Sequence, residues 1–261
     1  MAKQQILPEN NGEEILLQTI LEEQKNSEQE QKVIELKTPV IIIAKSEISL
    51  ELYELTVKQW EKHLPDNPIM IVGGNFGELP VIEAKLSSDE DIKLANILAA
   101  IVADERISET FILAPVGTFP VKQVIEKELS GLYCISTGPQ KQELTCMKNI
   151  TELYVTKQLQ KEGFRNVYNY ETGLPVMLEK TKVAELFEKF NPQKYPTKVI
   201  SLYLNYFNKE TKPVPVHFGC GEFATRVIRS NPNMDIVKKG LKESSFITLN
   251  NDGYMAVSKL F

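Results

Sequence analysis

Apolar and polar positions along this chain alternate between two spacings. Pro39 to Ala44 is an unbroken, β-branched apolar run, which predicts a strand covered on both faces. Leu50, Tyr53, Val57, Trp60 and Leu64 then recur at helical spacing behind Ser46 and Ser49, either of which can cap the helix, and Pro65 and Pro68 end it. Ile69 to Val72 followed by Gly73-Gly74 predicts a second buried strand leading into a turn. Ser88 with Asp91 three residues on reads as a capping box for a helix carrying Ile92, Ala95, Ala99 and Val102, and Thr110 to Ala114 as a third strand. Strand and helix in this alternation predict right-handed crossovers and a mostly parallel sheet, with ligands beyond the carboxyl ends of its strands.

The second half is richer in helical spacing. Helices are predicted over 147–161, 180–190, 197–207, 221–230 and 234–241, separated by Gly or Asn-Pro punctuation, with a late strand over 246–249. The loop Asn169-Tyr170-Glu171-Thr172-Gly173-Leu174-Pro175 stands out, because it sets polar, aromatic and turn residues ahead of the apolar run Val176-Met177-Leu178. Such loops are where binding residues gather.

Charge separates the start of the chain from the rest. Residues 1–37 hold eight glutamates, four lysines and no aromatic residue, most of the formal charge of −5. This acidic extension, with Leu17, Ile20 and Leu21 at helical spacing, is either a solvated arm or a helix that orders on a partner; residues 38–261 form the α/β body. The 261 residues, 42% hydrophobic, suffice for a well-buried core. The acidic balance argues against general nucleic-acid binding, and no apolar run approaches the ~20 residues of a membrane-spanning helix. Met1 to Glu14 lacks the basic and apolar regions of a secretory signal, so the cytoplasm is the expected compartment. Three cysteines, Cys134, Cys146 and Cys220, without a CxxC pair suggest neither a disulfide framework nor a zinc site.

Several constellations bear on chemistry. Gly219-x-Gly221-x-x-Ala224 has the form of a dinucleotide fingerprint, but prolines break the run before it and no acidic residue follows at the distance a ribose needs, so a turn is the simpler reading. Asp89-Glu90-Asp91 has the Asp-x-Asp form of a divalent-metal motif but falls in a first helical turn, where capping explains it. His63 and His217 are too few for a histidine-rich metal site, and no serine or cysteine stands in a nucleophile context. No cofactor and no metal are expected.

The segments Glu51-Leu-Tyr-Glu-Leu, His63-Leu64-Pro65, Ile69-Met-Ile-Val-Gly-Gly74, Ile107-Ser-Glu-Thr-Phe-Ile-Leu113 and Asn169 to Pro175 occur in an order that resembles the Stealth-type glycosyltransferases. That family includes capsular polysaccharide phosphotransferases and relatives encoded by tailed phages. The resemblance spans residues 38–260 and implies a GT-A-like α/β fold, a mostly parallel sheet flanked by helices with a helix-rich second half.

At three stations the chain departs from the family. Where the family carries Asn-Asp-Asp for a divalent metal and a sugar-phosphate donor, this chain has Pro115-Val116-Gly117. Where the family's loop carries a histidine, Gly173 stands, and the Asp-rich motif after the first strand is replaced by Ala44-Lys45-Ser46-Glu47. Losing the carboxylates removes the charge that would hold a metal-bound diphosphate, and losing the histidine removes an acid/base group. The resemblance therefore implies a degenerate, non-catalytic glycosyltransferase-like protein, made in the host cytoplasm and serving a structural or assembly role in a tailed-phage virion as a ring or tail-associated subunit. Its partners would be other protein subunits through residues 1–37, or further copies of itself. The alternative is a sugar or sugar-phosphate transferase with a rearranged, metal-free site using Glu171, His63 or His217, with Lys122, Lys141 and Arg165 around the leaving phosphate. A third reading is a glycan-binding module with Tyr168 and Tyr170 as its stacking platform.

Overall fold

In the computed structural model, residues 37–74, 77–124, 126–135, 150–216 and 224–261 are described. The predicted residues 1–36, Lys141, Cys146, His217 and the glycines 219 and 221 lie outside them. Three apolar runs form the centre of a five-stranded sheet. Strand β1 (Val40–Ile43) is flanked by β2 (Ile69–Val72) and β4 (Thr110–Pro115), both parallel to it, with β3 (Val81–Ile82) outside β2. The fifth strand, β7 (Val176–Glu179), runs antiparallel to β4 at the edge, so the sheet is mixed and its order is β3-β2-β1-β4-β7.

The uninterrupted apolar composition of β1 follows from burial on both faces. Ile41 joins one core with Phe111, Leu113 and Leu178, whereas Val40 and Ile42 join a second with Ile69, Ile71, Ile112 and Ala114. Helix α1 (Leu50–His63) covers the second face, presenting Leu52, Tyr53 and Trp60. Its cap is Ser49, whose hydroxyl accepts from Leu52 N–H at 3.3 Å. Helix α2 (Glu90–Ala103) covers the first face with Ile97, Leu98 and Ile101. The cap of α2 is Asp89, not the expected Ser88: one Asp89 carboxylate oxygen accepts from both Asp91 and Ile92 N–H at 3.0 Å, satisfying two amides where a serine oxygen would be one residue too early.

A second sheet was not foreseen. Strand β5 (Thr118–Pro120) follows β4 almost at once; later come the short helix α3 (Glu126–Leu129) and β6 (Tyr133–Ile135). Helices α4 (Ile150–Lys161), α5 (Lys180–Phe190) and α6 (Val199–Phe207) add to the α2 face, packing Val155, Leu159, Val183, Leu186 and Leu202 into the first core. Beyond them, β8 (Val214–Val216) pairs in parallel with β6. Strand β9 (Ala224–Val227), helix α7 (Met234–Glu243), strand β10 (Phe246–Leu249) and helix α8 (Asn251–Val257) complete the chain, ending in a 3-10 turn over Ser258–Leu260. Strand β10 lies between β5, antiparallel, and β9, parallel.

The described part of the expected 221–230 helix is thus a strand over Ala224–Val227 followed by a bend, not a helix. Ala224 and Val227 are buried against β10, and α7 packs so closely on β9 that a Cβ at Gly240 would overlap the Thr225 side chain. This pairing also removes the structural context of the dinucleotide fingerprint, which needs a helix to begin at Ala224. The expected helix over 197–207 begins two residues later, at Val199. All described residues belong to one unit, Lys37–Phe261.

Candidate functional site

The order β2-β1-β4 reverses the winding between β1 and β4, and in open α/β sheets this point, beyond the carboxyl ends of the strands, is where ligands sit. Here the crevice is filled. Val116 N–H donates to the Ile43 carbonyl at 3.1 Å, and Val116 itself is only 5% exposed. Gly117 turns the chain with φ +83°, donates its N–H to Thr56 Oγ1 at 3.0 Å and accepts from Leu249 N–H at 2.8 Å. A Cβ at Gly117 would run into the Leu249 carbonyl oxygen. Pro115-Val116-Gly117 is therefore a buried turn covered by the second sheet, with Thr118 and Thr248 hydroxyls sharing a bond at 3.2 Å behind it.

The loop 169–175 reaches the same edge, since Val176 pairs with Leu113 near the end of β4. Thr118 Oγ1 donates to the Gly173 carbonyl at 3.3 Å. Gly173 has φ +69° and open space where a side chain would be. Asn169 shapes the loop: its side-chain oxygen accepts from Glu171 N–H at 2.9 Å, and its carbonyl accepts from Ile135 N–H at 2.8 Å. Thr172 is buried and its hydroxyl accepts from Leu174 N–H at 3.3 Å.

Glu171 is the chemical centre of this loop. Helix α6 has no side-chain cap of its own, and Glu171 Oε1 supplies the missing acceptor, taking Ser201 N–H at 3.0 Å and Ser201 Oγ–H at 2.8 Å. Burial pushes the Glu171 carboxyl above its ordinary value; the Ser201 bonds and the charge of Lys198 pull it back only in part, and Asp91 adds to the rise. Lys198 Nζ in turn reaches Asp91 Oδ1 at 2.7 Å. Ser201 Oγ also accepts from Tyr170 N–H at 3.0 Å, and Asn205 binds the Tyr168 backbone through both its N–H and its carbonyl. The edge thus carries a carboxylate, a lysine and a second carboxylate, each occupied in holding α2, α6 and the loop together.

Lys198, Ser201 and Asn205 escape sequence reasoning because nothing local marks them. The one available signal is an absence: the helix after Lys198 lacks a cap residue, so its amides must be met from elsewhere. Asp89-Glu90-Asp91 divides its work, Asp89 capping α2 and Asp91 pairing with Lys198. Among the described residues, no group of three or more His, Cys, Asp or Glu side chains is placed to hold a metal ion.

Other expected participants lie elsewhere. His63 ends α1 and precedes β2, whose first residue Ile69 pairs with Val40 at the start of β1, so the imidazole sits at the amino edge, across the sheet from Glu171. Its Nε2 is buried without a partner among the described residues, and burial, then the neighbouring Lys62, lowers its pKa. Tyr170 is 3% exposed, which removes it as a stacking platform; burial raises its pKa. Cys134 is likewise buried, its thiol pKa raised by burial. Lys122 is exposed just past β5, while Arg165 belongs to a cleft beside Lys209 and Lys212. No described helix is long and apolar enough to cross a membrane.

No protein-family model matches the chain, and no curated protein matches it. Among solved structures, the crystal structure of a glycosyltransferase involved in the glycosylation of the major capsid of PBCV-1 aligns at 10% identity with a TM-score of 0.42, over 81% of this chain and 93% of that one.

Proposed function

We propose that this chain is a degenerate glycosyltransferase-like protein, its GT-A-like scaffold kept for a structural or assembly role as a ring or tail-associated subunit of a tailed-phage virion. The observation that supports it is the closed crevice. A sugar-phosphate donor with its metal needs open space and carboxylates at the end of β4, whereas Val116 and Thr118 are buried there and the Leu249 carbonyl lies against Gly117. The phage assignment rests on the resemblance of the loop Asn169–Pro175 to tailed-phage relatives. In this reading the acidic residues 1–37 contact other subunits, the body 38–261 is the retained domain, and the protein moves from the host cytoplasm into the particle.

A rearranged, metal-free transferase is the second reading, favoured by one observation: Glu171, a carboxyl with a raised pKa, lies at the carboxyl edge where ligands of such sheets bind. Against it, Glu171 already caps α6, which suits a positioning group better than a proton shuttle.

Mass spectrometry of purified particles separates the two. A stoichiometric copy number supports the virion role. Absence from particles, together with turnover of a nucleotide sugar by the purified chain in Mg²⁺ or Mn²⁺ or without metal, overturns it.

A further inference from the structure

Helices α4 and α6 both end at one side of the molecule, and the segments that follow them face each other across a cleft of about 580 Å³. After α4 the chain turns at Gly163, φ +82°, and presents Arg165 and Asn166, both exposed. Opposite stand Lys209, Thr211 and Lys212, all exposed, with Glu210 as the only carboxylate among the described lining residues. The walls meet where Lys209 Nζ lies over the Phe164 ring, 4.9 Å from its centroid. The nearby Glu162 is engaged by Lys189 at 2.5 Å. The cleft is therefore cationic, three positive groups to one negative, in a chain whose formal charge is −5.

Its position makes it separate from the crevice described above. Helix α6 starts beside Asp91 at the carboxyl edge and ends at Phe207, which shares a cavity with Thr110, the first residue of β4. The cleft follows at that opposite edge.

We propose that this cleft binds a small ligand through a phosphate or diphosphate group. Arg165 offers a planar fork suited to two phosphate oxygens, Lys209 and Lys212 add point charges from the other wall, and Asn166 and Thr211 bring uncharged donors. The volume lies within the range of sites that enclose a nucleotide-sized molecule. Lys209 is positioned by the Phe164 ring, so one cation is held in place before the ligand arrives.

The test is calorimetric titration of the full chain with inorganic pyrophosphate at low salt, comparing Arg165→Ala/Lys212→Ala with Lys58→Ala/Lys238→Ala. All four positions are exposed, so both variants keep the fold, and both lose two positive charges. The expected result is saturable binding that weakens about tenfold or more in the first variant and stays unchanged in the second. Equal weakening in both, or no saturable binding by the unaltered chain, overturns the proposal. Titrations with a nucleoside diphosphate and a hexose phosphate identify the carrier: whichever binds more tightly than pyrophosphate supplies it, and equal affinity assigns recognition to the phosphate alone. None of these outcomes depends on where the protein resides, so the proposal and the virion role stand or fall separately.

Discussion

Lys198 and Asp91, 107 positions apart, bring Nζ and Oδ1 to 2.7 Å and so tie the start of α6 to the first turn of α2. A cation is unfavourable at a helix N-terminus, and Asp91 together with Glu171 offsets that cost. Burial pushes the Lys198 ammonium down, but the Asp91 hydrogen bond and charge, with Glu171 and Glu152, more than compensate and hold its pKa above the ordinary value. In a double-mutant cycle of Lys198→Met and Asp91→Asn, urea unfolding is expected to give a coupling of about 1–3 kcal/mol, between an exposed and a fully buried pair. Simple additivity of the two variants would remove this pair as a tie.

Glu171 predicts a pH dependence of definite sign. Its folded pKa lies above its unfolded value, so between the two the native state holds more protons, and stability falls as pH rises through the raised pKa. The cost of burying the charge is then present in full above that pKa and relieved as pH falls toward the ordinary carboxylate range. Glu171→Gln keeps an acceptor for Ser201 N–H and removes the titration. Denaturation curves between pH 4 and 8 are expected to show a shallower decline with rising pH in Glu171→Gln, and matching slopes would refute the assignment.

Two glycines that both have a positive φ are expected to respond differently to alanine. Gly173 has room for a methyl group, so Gly173→Ala meets only the strain of its positive φ, about 1 kcal/mol. At Gly117 the same strain is joined by collision with the Leu249 carbonyl, and Gly117→Ala is expected to lose about 3 kcal/mol or more. Thermal unfolding of both variants gives the comparison; equal losses would mean that β10 yields easily.

Trp60 is the only tryptophan, fully buried, and its Nε1–H donates to the Thr118 carbonyl at 3.1 Å. Trp60→Phe loses this bond and leaves a small void beside Phe246, at an expected cost of about 2–4 kcal/mol read by circular dichroism. In the unaltered chain its fluorescence follows the contact between α1 and the second sheet, so its emission is expected to shift in Gly117→Ala.

The elements legible in the sequence were those whose signal is local. The runs Val40–Ile43 and Ile69–Val72 are apolar because both faces are covered, and Lys180–Phe190 shows its spacing within one segment. Of the second sheet only Phe246–Leu249 was legible as a strand; its neighbour Thr118–Pro120 has three residues, and the pairing of Thr118 with Thr248 spans 130 positions. Residues 224–227 form a strand because β10 offers them a partner. At the site, the loop around Glu171 was visible from its polar and turn residues, but its role as the cap of α6 depends on Ser201, thirty residues on. His63 shows the converse. A chemically able side chain in sequence, it is carried to the other edge by the direction of α1.

The strand that closes the crevice is synthesised long after the turn that it covers. Until Phe246–Leu249 has left the ribosome, β5 lacks its antiparallel neighbour and the Gly117 carbonyl lacks the Leu249 N–H that donates to it. The parallel strands β1, β2 and β4 can meet much earlier, since all their residues precede position 116. Nascent chains stalled before residue 246 would then carry Phe119 and Trp60 uncovered at a half-built edge, a natural point of attachment for chaperones and for unwanted association.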